Sequence, residues 1–367
     1  MKRVLLIAVP GIGDAFLATP LLRSLKQANP DVCIDVLVRE GKSILEHNPD
    51  VSRILVQGRR PGFFDSLRFL AGIFRRYDLA VSTSTTDRSY AILLCAASRR
   101  FGKVANAGFG TWWKRKLVSA YVLSDPNKHL VAENLQFADL LGIARQYRPV
   151  LPQQRARPGA LDLLPFNVRN TAYVVVHMKP GAVLRQWPDE NWRFLIDGLR
   201  QRGLAVVATG SRDAAEIAYV TGILSGTAAA PDAAPACNLA GKLGFGEVSE
   251  LISHSALFVG TDTSTTHVAA ATGVATLALF GPTSVVRWGP WPRELQHAAS
   301  PWTADAPSQS LGNVTILRSR CSCNTVRQTC LLRPGRPGVC MSQLFPHTVL
   351  ARANELLGPA AAVASSA

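Results

Sequence analysis

Residues 260–283 read GTDTSTTHVAAATGVATLALFGPT, a polar, hydroxyl-rich turn set between two apolar runs. ALFVG (256–260) precedes it and ATLALFG (275–281) closes it, with a helix of small residues expected around 265–272. Continuous apolar runs, rather than alternating ones, belong to strands buried on both faces, and so to a parallel sheet with helices packed on each side. In such sheets ligands sit beyond the carboxyl ends of the strands. There the loops run into helix amino termini, whose N–H groups and dipole favour anions. Asp262, Thr263, Ser264 and His267 occupy that position. Small and hydroxylated side chains let a phosphate approach the backbone and add hydrogen bonds to it. A plain helix cap at Asp262 or Thr263, and a satisfied core histidine at His267, are the simpler readings. The concentration of polar residues between two buried strands, closed by FGPT at 280–283, favours the phosphate site.

The same strand and helix rhythm extends in both directions. In the first half, RVLLIAV (3–9) reads as a strand, Gly11 and Gly13 as a turn, and 14–28 as a helix ending before Pro30. CIDVLV (33–38), a helix over 66–77, DLAVST (78–83) and a helix over 88–97 follow. In the second half TAYVVVHM (171–178), LAVVATG (204–210) and helices over 190–201, 213–225 and 245–253 lead up to the opening segment. Between them, YRPVLPQQRARPGALDLLPFNVR (147–169) has no helical or alternating period and is rich in Pro and Arg, the mark of a linker. A chain of 367 residues is also too long for one ordinary core. The expected α/β architecture is therefore two Rossmann-like doubly wound domains, 1–150 and 171–349, facing a cleft. A linker at 151–170 joins them, and a tail at 350–367 ends in the low-complexity PAAAVASSA.

Composition excludes several classes. With 47% hydrophobic and 18% charged residues the body is globular rather than disordered. MKRVLLIAVPGIGDAFLA at the start imitates a signal peptide, but Pro10, Gly11 and Gly13 break the apolar run and Asp14 follows at once. No segment approaches the roughly 18 apolar residues of a membrane span, so a soluble cytoplasmic protein is expected. The net charge of +15 calls for an anionic partner: nucleic acid, an acidic membrane surface or a phosphorylated small molecule. Residues 1–150 hold 22 Lys plus Arg against 12 Asp plus Glu, which places 10 of the 15 charges in the first half.

Two further loops sit where chemistry is expected. VPGIGDAFLATP (9–20) resembles half of a dinucleotide fingerprint, but GxGxxG is absent and NAD is disfavoured. An acidic residue at the start of the first helix repels a pyrophosphate, so Asp14 is either a helix cap or a general base. In MKPGAVLRQWPDENW (178–192), Lys179 and Arg185 can neutralise a diphosphate, while Trp187 and Pro188 shape the turn into the next helix.

These clusters, in this order on two doubly wound halves, resemble glycosyltransferase family nine, the ADP-heptose:lipopolysaccharide heptosyltransferases of Gram-negative bacteria. The likeness runs from about residue 2 to 349. It is most specific in VGTDTSTTHVAAATGVATLALFGPT, with support from GIGDAFLATPLLRSLKQANPD, RQWPDENWRFLI and NLAGKLGFGEVSELISHSALFVG. The resemblance implies the GT-B fold, an acceptor bound mainly by the first domain and a nucleotide-sugar by the second. It implies inverting transfer of heptose from ADP-heptose to the lipid A–core oligosaccharide, with Asp14 as the base. Arg185, Asp262, Thr263, Ser264 and His267 fall on donor-binding positions, and Thr209, Gly210, Ser211 and Glu216 flank the nucleoside. No cofactor is required for catalysis. Two positions depart from the family pattern: Ser264 replaces a usual glycine and Arg185 a usual lysine. Another nucleotide-sugar or acceptor, or a non-catalytic nucleotide-sugar-binding protein, is the alternative.

Cys321, Cys323, Cys330 and Cys340 cluster near the end of the second domain. Four thiolates there could close a structural zinc or iron site, remain thiols, or pair as disulfides. The basic first half, including Arg59, Arg60, Arg68, Arg75, Arg76, Arg99, Arg100, Lys103, Lys114, Arg115 and Lys116, is interspersed with Phe63, Phe64, Trp112 and Trp113. It reads either as a solvated face or as a platform for an anionic lipopolysaccharide-core acceptor at the inner face of the inner membrane. In the second reading the protein is peripheral there. No nucleic-acid motif is present, so no nucleic-acid partner is expected.

Overall fold

The computed structural model describes residues 1–9, 11–39, 42–58, 61–105, 109–153, 159–168, 170–228, 233–297, 299–319 and 338–359. Near-continuous apolar runs become the strands of two separate sheets. The first holds β1 (Arg3–Ile7), β2 (Cys33–Val38), β3 (Arg53–Val56), β4 (Tyr77–Ser82), β5 (Ala97–Ala105) and β6 (Ala120–Ser124), all parallel, in the order β3-β2-β1-β4-β5-β6. The second holds β7 (Tyr173–His177), β8 (Ala205–Thr209), β9 (Ala236–Asn238), β10 (Leu257–Thr261), β11 (Thr276–Phe280), β12 (Ser308–Leu311) and β13 (Val314–Arg318), in the order β12-β13-β11-β10-β7-β8-β9. Only β12 runs antiparallel there, against β13. Strand order reverses between β1 and β4 in the first sheet and between β7 and β10 in the second. These reversals are where open α/β sheets leave a crevice for a ligand.

The chain divides into two compact units, Met1–Arg155 with Glu294–Pro301, and Ala156–Arg293 with Trp302–Ala367. Two of the expected boundaries need correction. Inside the linker drawn at 151–170, a 3-10 turn at Ala160–Leu163 buries Ala160, and Leu164 joins it in the core beneath helix Phe245–Ser253. The tail drawn at 350–367 begins in the middle of helix Pro346–Leu357, which buries Val349 and Ala353. Leu350 of that helix lies over Gly198 of helix Asp189–Gln201, a position with no room for a Cβ. Pro and Arg enrichment concealed the first element, and the alanine-rich end drew attention from the second. The excursion Glu294–Pro301 has no signature of its own; an ion pair between Arg148 and Glu294 at 2.7 Å ties it to the first unit.

Helix limits shift for local reasons. The single helix expected over 14–28 is two, Ile12–Leu17 and Thr19–Ala28, because Pro20 in the first turn of the second lacks the N–H that would continue the ladder. The helix expected over 66–77 is Phe63–Ile73; Arg75 takes a left-handed φ of 49°, and Tyr77 already belongs to β4.

Two of the basic residues expected at the surface, Lys103 and Lys114, lie inside the first unit. Lys103 on β5 and Glu133 on helix Leu130–Leu141 form a buried ion pair at 2.6 Å. Lys103 also donates to Asn134 Oδ1 at 2.9 Å, and Glu133 accepts from the Asp125 N–H at 2.7 Å. Asn134 in turn donates to the carbonyl of Leu17, the last residue of the helix that carries Asp14. Removing one partner of a buried pair strands the other charge without solvent. Glu133→Gln is therefore expected to cost about 3–5 kcal/mol in denaturant unfolding, and Lys103→Met/Glu133→Leu less than that single change. Equal losses would sink this account.

Candidate active site

Parallel register sets the floor of the site in the second unit. Gly260 of β10 pairs with His177 of β7, His177 pairs with Thr209 of β8, and Thr261 pairs with Leu279 of β11. The carboxyl ends of four strands therefore stop at one level, on both sides of the reversal between β7 and β10. Gly260 lacks a side chain for a steric reason: a Cβ there would lie 2.7 Å from the Phe258 ring and 3.1 Å from Thr266 Oγ1.

From β10 the chain turns through Asp262 and Thr263 into helix Ser264–Thr272. Thr263 is the N-cap, its hydroxyl accepting from the Thr266 N–H. Ser264 is the first helical residue and half-buried. Asp262 is buried and does not cap the helix. Its carboxylate and its carbonyl both accept from Arg185 Nη1, each at 3.0 Å. The Arg185 side chain as a whole is 27% exposed. Arg185 ends the short 3-10 turn Val183–Arg185, which runs directly into two fully buried tryptophans. Trp187 stands edge-on to Trp192, centroids 4.8 Å apart, and donates to the carbonyl of Leu344. Anchored in this way, the loop presents Arg185 at a fixed height above the sheet. Lys179, from the same loop, lies over the ring of Tyr219 at 5.8 Å.

His267 is buried among these groups and its Nδ1 has no hydrogen-bond partner in the structure, as is also true of the buried hydroxyls of Thr261 and Thr283. Native interiors rarely leave such atoms unmet, so each calls for a polar partner, a water or an ion included. Burial holds the His267 pKa below its ordinary value, with Asp262 opposing the shift and Arg185 adding to it.

His177 was not singled out in the sequence. It lies at the end of β7 with Nδ1 3.0 Å from the Thr209 hydroxyl and Nε2 3.4 Å from that of Thr265. It therefore joins three of the elements that frame the crevice. Burial lowers its pKa, and the charge of Glu216 opposes that shift. The only signal in sequence was a histidine closing an apolar strand, which a core histidine gives equally. Thr209 is buried and turned inward, bonding His177 and the Val176 carbonyl. At Gly210 a Cβ would approach Ala240 Cβ and Glu216 Oε1 to 3.1 Å, so a side chain there would push its neighbours back by a few tenths of an ångström. Ser211 donates to Glu216, whose helix Ala214–Ser225 is capped by Asp213.

In the first unit Asp14 occupies the third position of helix Ile12–Leu17, and its carboxylate accepts from the Gly11 N–H at 2.9 Å. A Cβ on Gly11 would meet that carboxylate at 2.8 Å. Asp14 therefore does cap its helix, at the end of β1 and beside the reversal. Across the reversal, β4 ends at Ser82 and is followed by Thr83, Ser84, Thr85 and Thr86, a hydroxyl cluster written in the sequence as STSTTD (82–87). Thr83 bonds the Ile7 carbonyl of β1, and buried Lys114 bonds the Thr85 carbonyl and Asp87, both at 2.6 Å.

Of the clustered cysteines, Cys321, Cys323 and Cys330 lie outside the described residues. Cys340 is buried, its carbonyl accepting from Ser319, and its sulfur lies 3.5 Å from where a Cβ on Gly281 would stand. Among the described residues no three His, Cys, Asp or Glu side chains are grouped to hold a metal, and no helix is long and apolar enough to cross a membrane.

Both histidines have lowered pKa values in the folded chain, so below their ordinary value of 6.5 the unfolded chain binds more protons. The stability they contribute is full above about pH 6.5 and is lost as pH falls below it. Denaturant unfolding at pH 7.5 and 5.5 is expected to show a smaller acid loss for His177→Gln/His267→Gln than for the native chain. An identical loss in both would show that these imidazoles are not the groups responsible.

A family model described as glycosyltransferase family 9 (heptosyltransferase) matches residues 75–314. Over 290 residues the chain is 28% identical to lipopolysaccharide heptosyltransferase 3 of Escherichia coli (strain K12), covering 76% of this chain and 82% of that one. The crystal structure of the glycosyl transferase family 9 from Veillonella parvula DSM 2008 aligns with a TM-score of 0.76 at 17% identity, over 97% of both chains. The Escherichia coli ADP-heptose lps heptosyltransferase II gives 0.73 at 20%, over 97% of this chain and 98% of that one. The fold shared with these structures is GT-B, with two Rossmann-like domains.

Proposed function

Because the chain belongs to glycosyltransferase family 9, the heptosyltransferases, we propose that it transfers heptose from ADP-heptose to the lipid A–core oligosaccharide during lipopolysaccharide biosynthesis. The observation that carries this reading is Arg185. It is a partly exposed side chain whose guanidinium is fixed on the buried Asp262 at the amino end of helix Ser264–Thr272, beside the reversal of strand order. A diphosphate placed there meets the guanidinium and the first-turn N–H groups, whose partners a helix cannot supply. The orphaned atoms of Thr261, His267 and Thr283 are further polar groups for the donor. Lys179 adds positive charge from the same loop. The name of the Escherichia coli relative and the ADP-heptose in the name of the structural neighbour support the donor and the pathway.

In the proposed reaction Asp14 takes the proton from an acceptor hydroxyl as its oxygen attacks the anomeric carbon. The bond from that carbon to the diphosphate breaks, and the departing oxygen keeps the electron pair. Attack opposite the leaving group inverts the centre. Arg185 and the helix amino end stabilise the charge that develops on the diphosphate. Thr209, Gly210 and Glu216 would line the nucleoside side, Thr263 and Ser264 the phosphates. The acceptor, an anionic lipid-linked oligosaccharide, would be met at the cytoplasmic face of the inner membrane. Ser264 and Arg185, where the family has glycine and lysine, also admit a different nucleotide-sugar.

Asp14→Asn keeps an acceptor for the Gly11 N–H but cannot take a proton. It is expected to lower kcat roughly 10²–10⁴-fold with the Kd for ADP-heptose held within about twofold. Unchanged turnover would remove Asp14 from the base role. Calorimetric titration should show ADP-heptose binding more tightly than UDP- or GDP-sugars, and the reverse order would reassign the donor.

A further inference from the structure

Helix Phe63–Ile73 is the crossover between β3 and β4, and it is apolar on two sides. Phe69, Leu70 and Ile73 pack into the core beneath it. On the other side Phe63 is 77% exposed, Phe64 82% and Leu67 55%, and Phe74 at the helix end is 60% exposed. Phe63 and Leu67 stand one turn apart and share a face of the helix. Single exposed apolar residues are ordinary, but four large ones within twelve positions form a patch that normally has a partner.

The rim of the patch identifies the partner. Arg68, Arg75 and Arg76 are exposed around it, against Asp65 alone. Arg75 enters the left-handed region at φ 49°, which costs a residue with a side chain some strain; it is held there by its N–H on the Cys95 carbonyl at 2.8 Å. That turn leaves Phe74 outside with the Arg75 guanidinium 5.7 Å from its ring centre. Helix Trp112–Leu117 covers the same core cluster through Trp113, and it exposes Trp112, Arg115 and Lys116. Aromatic side chains ringed by arginine and lysine match the acyl boundary and headgroups of an anionic bilayer. The alternative occupant, a second copy of this chain, would bring the same arginines face to face across a two-fold contact.

We infer that the outer face of helix Phe63–Ile73 inserts into the surface of an anionic lipid bilayer, its phenylalanines at the acyl boundary and its arginines on lipid phosphates. This deepens the proposed function and rests on it for one point, that the acceptor is anchored in lipid. Flotation of the full chain with vesicles of phosphatidylcholine alone, and of phosphatidylcholine with phosphatidylglycerol, tests it, with neither donor nor acceptor present. Binding to the anionic vesicles is expected, and binding about tenfold weaker or less is expected for Phe63→Ser/Phe64→Ser. The far-ultraviolet circular dichroism and the denaturant midpoint of that variant should match those of the native chain, which shows that it is folded. Flotation equal to that of the native chain would overturn the inference, as would failure of the native chain to bind anionic vesicles. Light scattering that shows a native dimer, monomeric in the variant with flotation unaltered, would assign the face to a second copy. Because the vesicles carry no substrate, failure here leaves the transfer reading standing, and failure of ADP-heptose turnover leaves the flotation result interpretable.

Discussion

Parallel pairing ties the carboxyl ends of β7, β8, β10 and β11 to one level, and the candidate site is built on that level. A shift of one residue in the pairing of β7 with β10 would turn His177 to the other face of its sheet and break its bridge from Thr209 to Thr265. Pairing also decides which glycines the site requires. Gly260 stands where the Phe258 ring leaves no room for a Cβ, and Gly210 where one would fit only tightly against Ala240 and Glu216. Close packing beneath the site is what allows the loops above it to be short and polar.

Charge in this protein is divided between inside and outside. Asp262 is buried but lies against a cation that is itself only partly enclosed, so the pair can rearrange around an anion without leaving a carboxylate unmet. Lys103 and Glu133 are different: both are enclosed, with amide and backbone partners completing their shells. Their cluster reaches through Asn134 to the end of the helix that bears Asp14. A buried pair of this kind adds little net stability over an apolar replacement, but it constrains where the helices can sit. The basic character of the first half is therefore not wholly a surface property, since Lys103 and Lys114 are both buried, Lys103 against the enclosed Glu133 and Lys114 against the exposed Asp87.

Asp14 shows how one residue can carry two readings. At the sequence level a cap and a base were equal possibilities, and the hydrogen bond from Gly11 establishes the cap. A carboxylate pinned by a backbone N–H at the start of a helix has its orientation fixed, and fixed orientation is what a general base needs. The structural role and the proposed chemical role therefore draw on the same geometry.

The sequence by itself determined the α/β class, the two doubly wound domains and the loops that hold Asp14, Arg185, Asp262, Thr263, Ser264 and His267. Buried parallel strands and hydroxyl-rich turns are local patterns, written in consecutive residues. What it could not supply was anything set by chain segments far apart. His177 became notable only when Thr209 and Thr265 met it from two other elements. Helix Pro346–Leu357 has Val349, Leu350, Ala353, Leu356 and Leu357 at helical spacing, but the alanine-rich end hid it, and its place follows from Gly198 on a helix about 150 residues away. Short strands such as β9 and β12 have too few residues to show a period, so their pairing exists only in the sheet. Likewise Phe63 and Phe64 stood in the sequence only as aromatics among basic residues, on a face that was either solvated or a platform. Only the tertiary structure, by filling the space beneath their helix with Phe69, Leu70 and Ile73, left them facing outward.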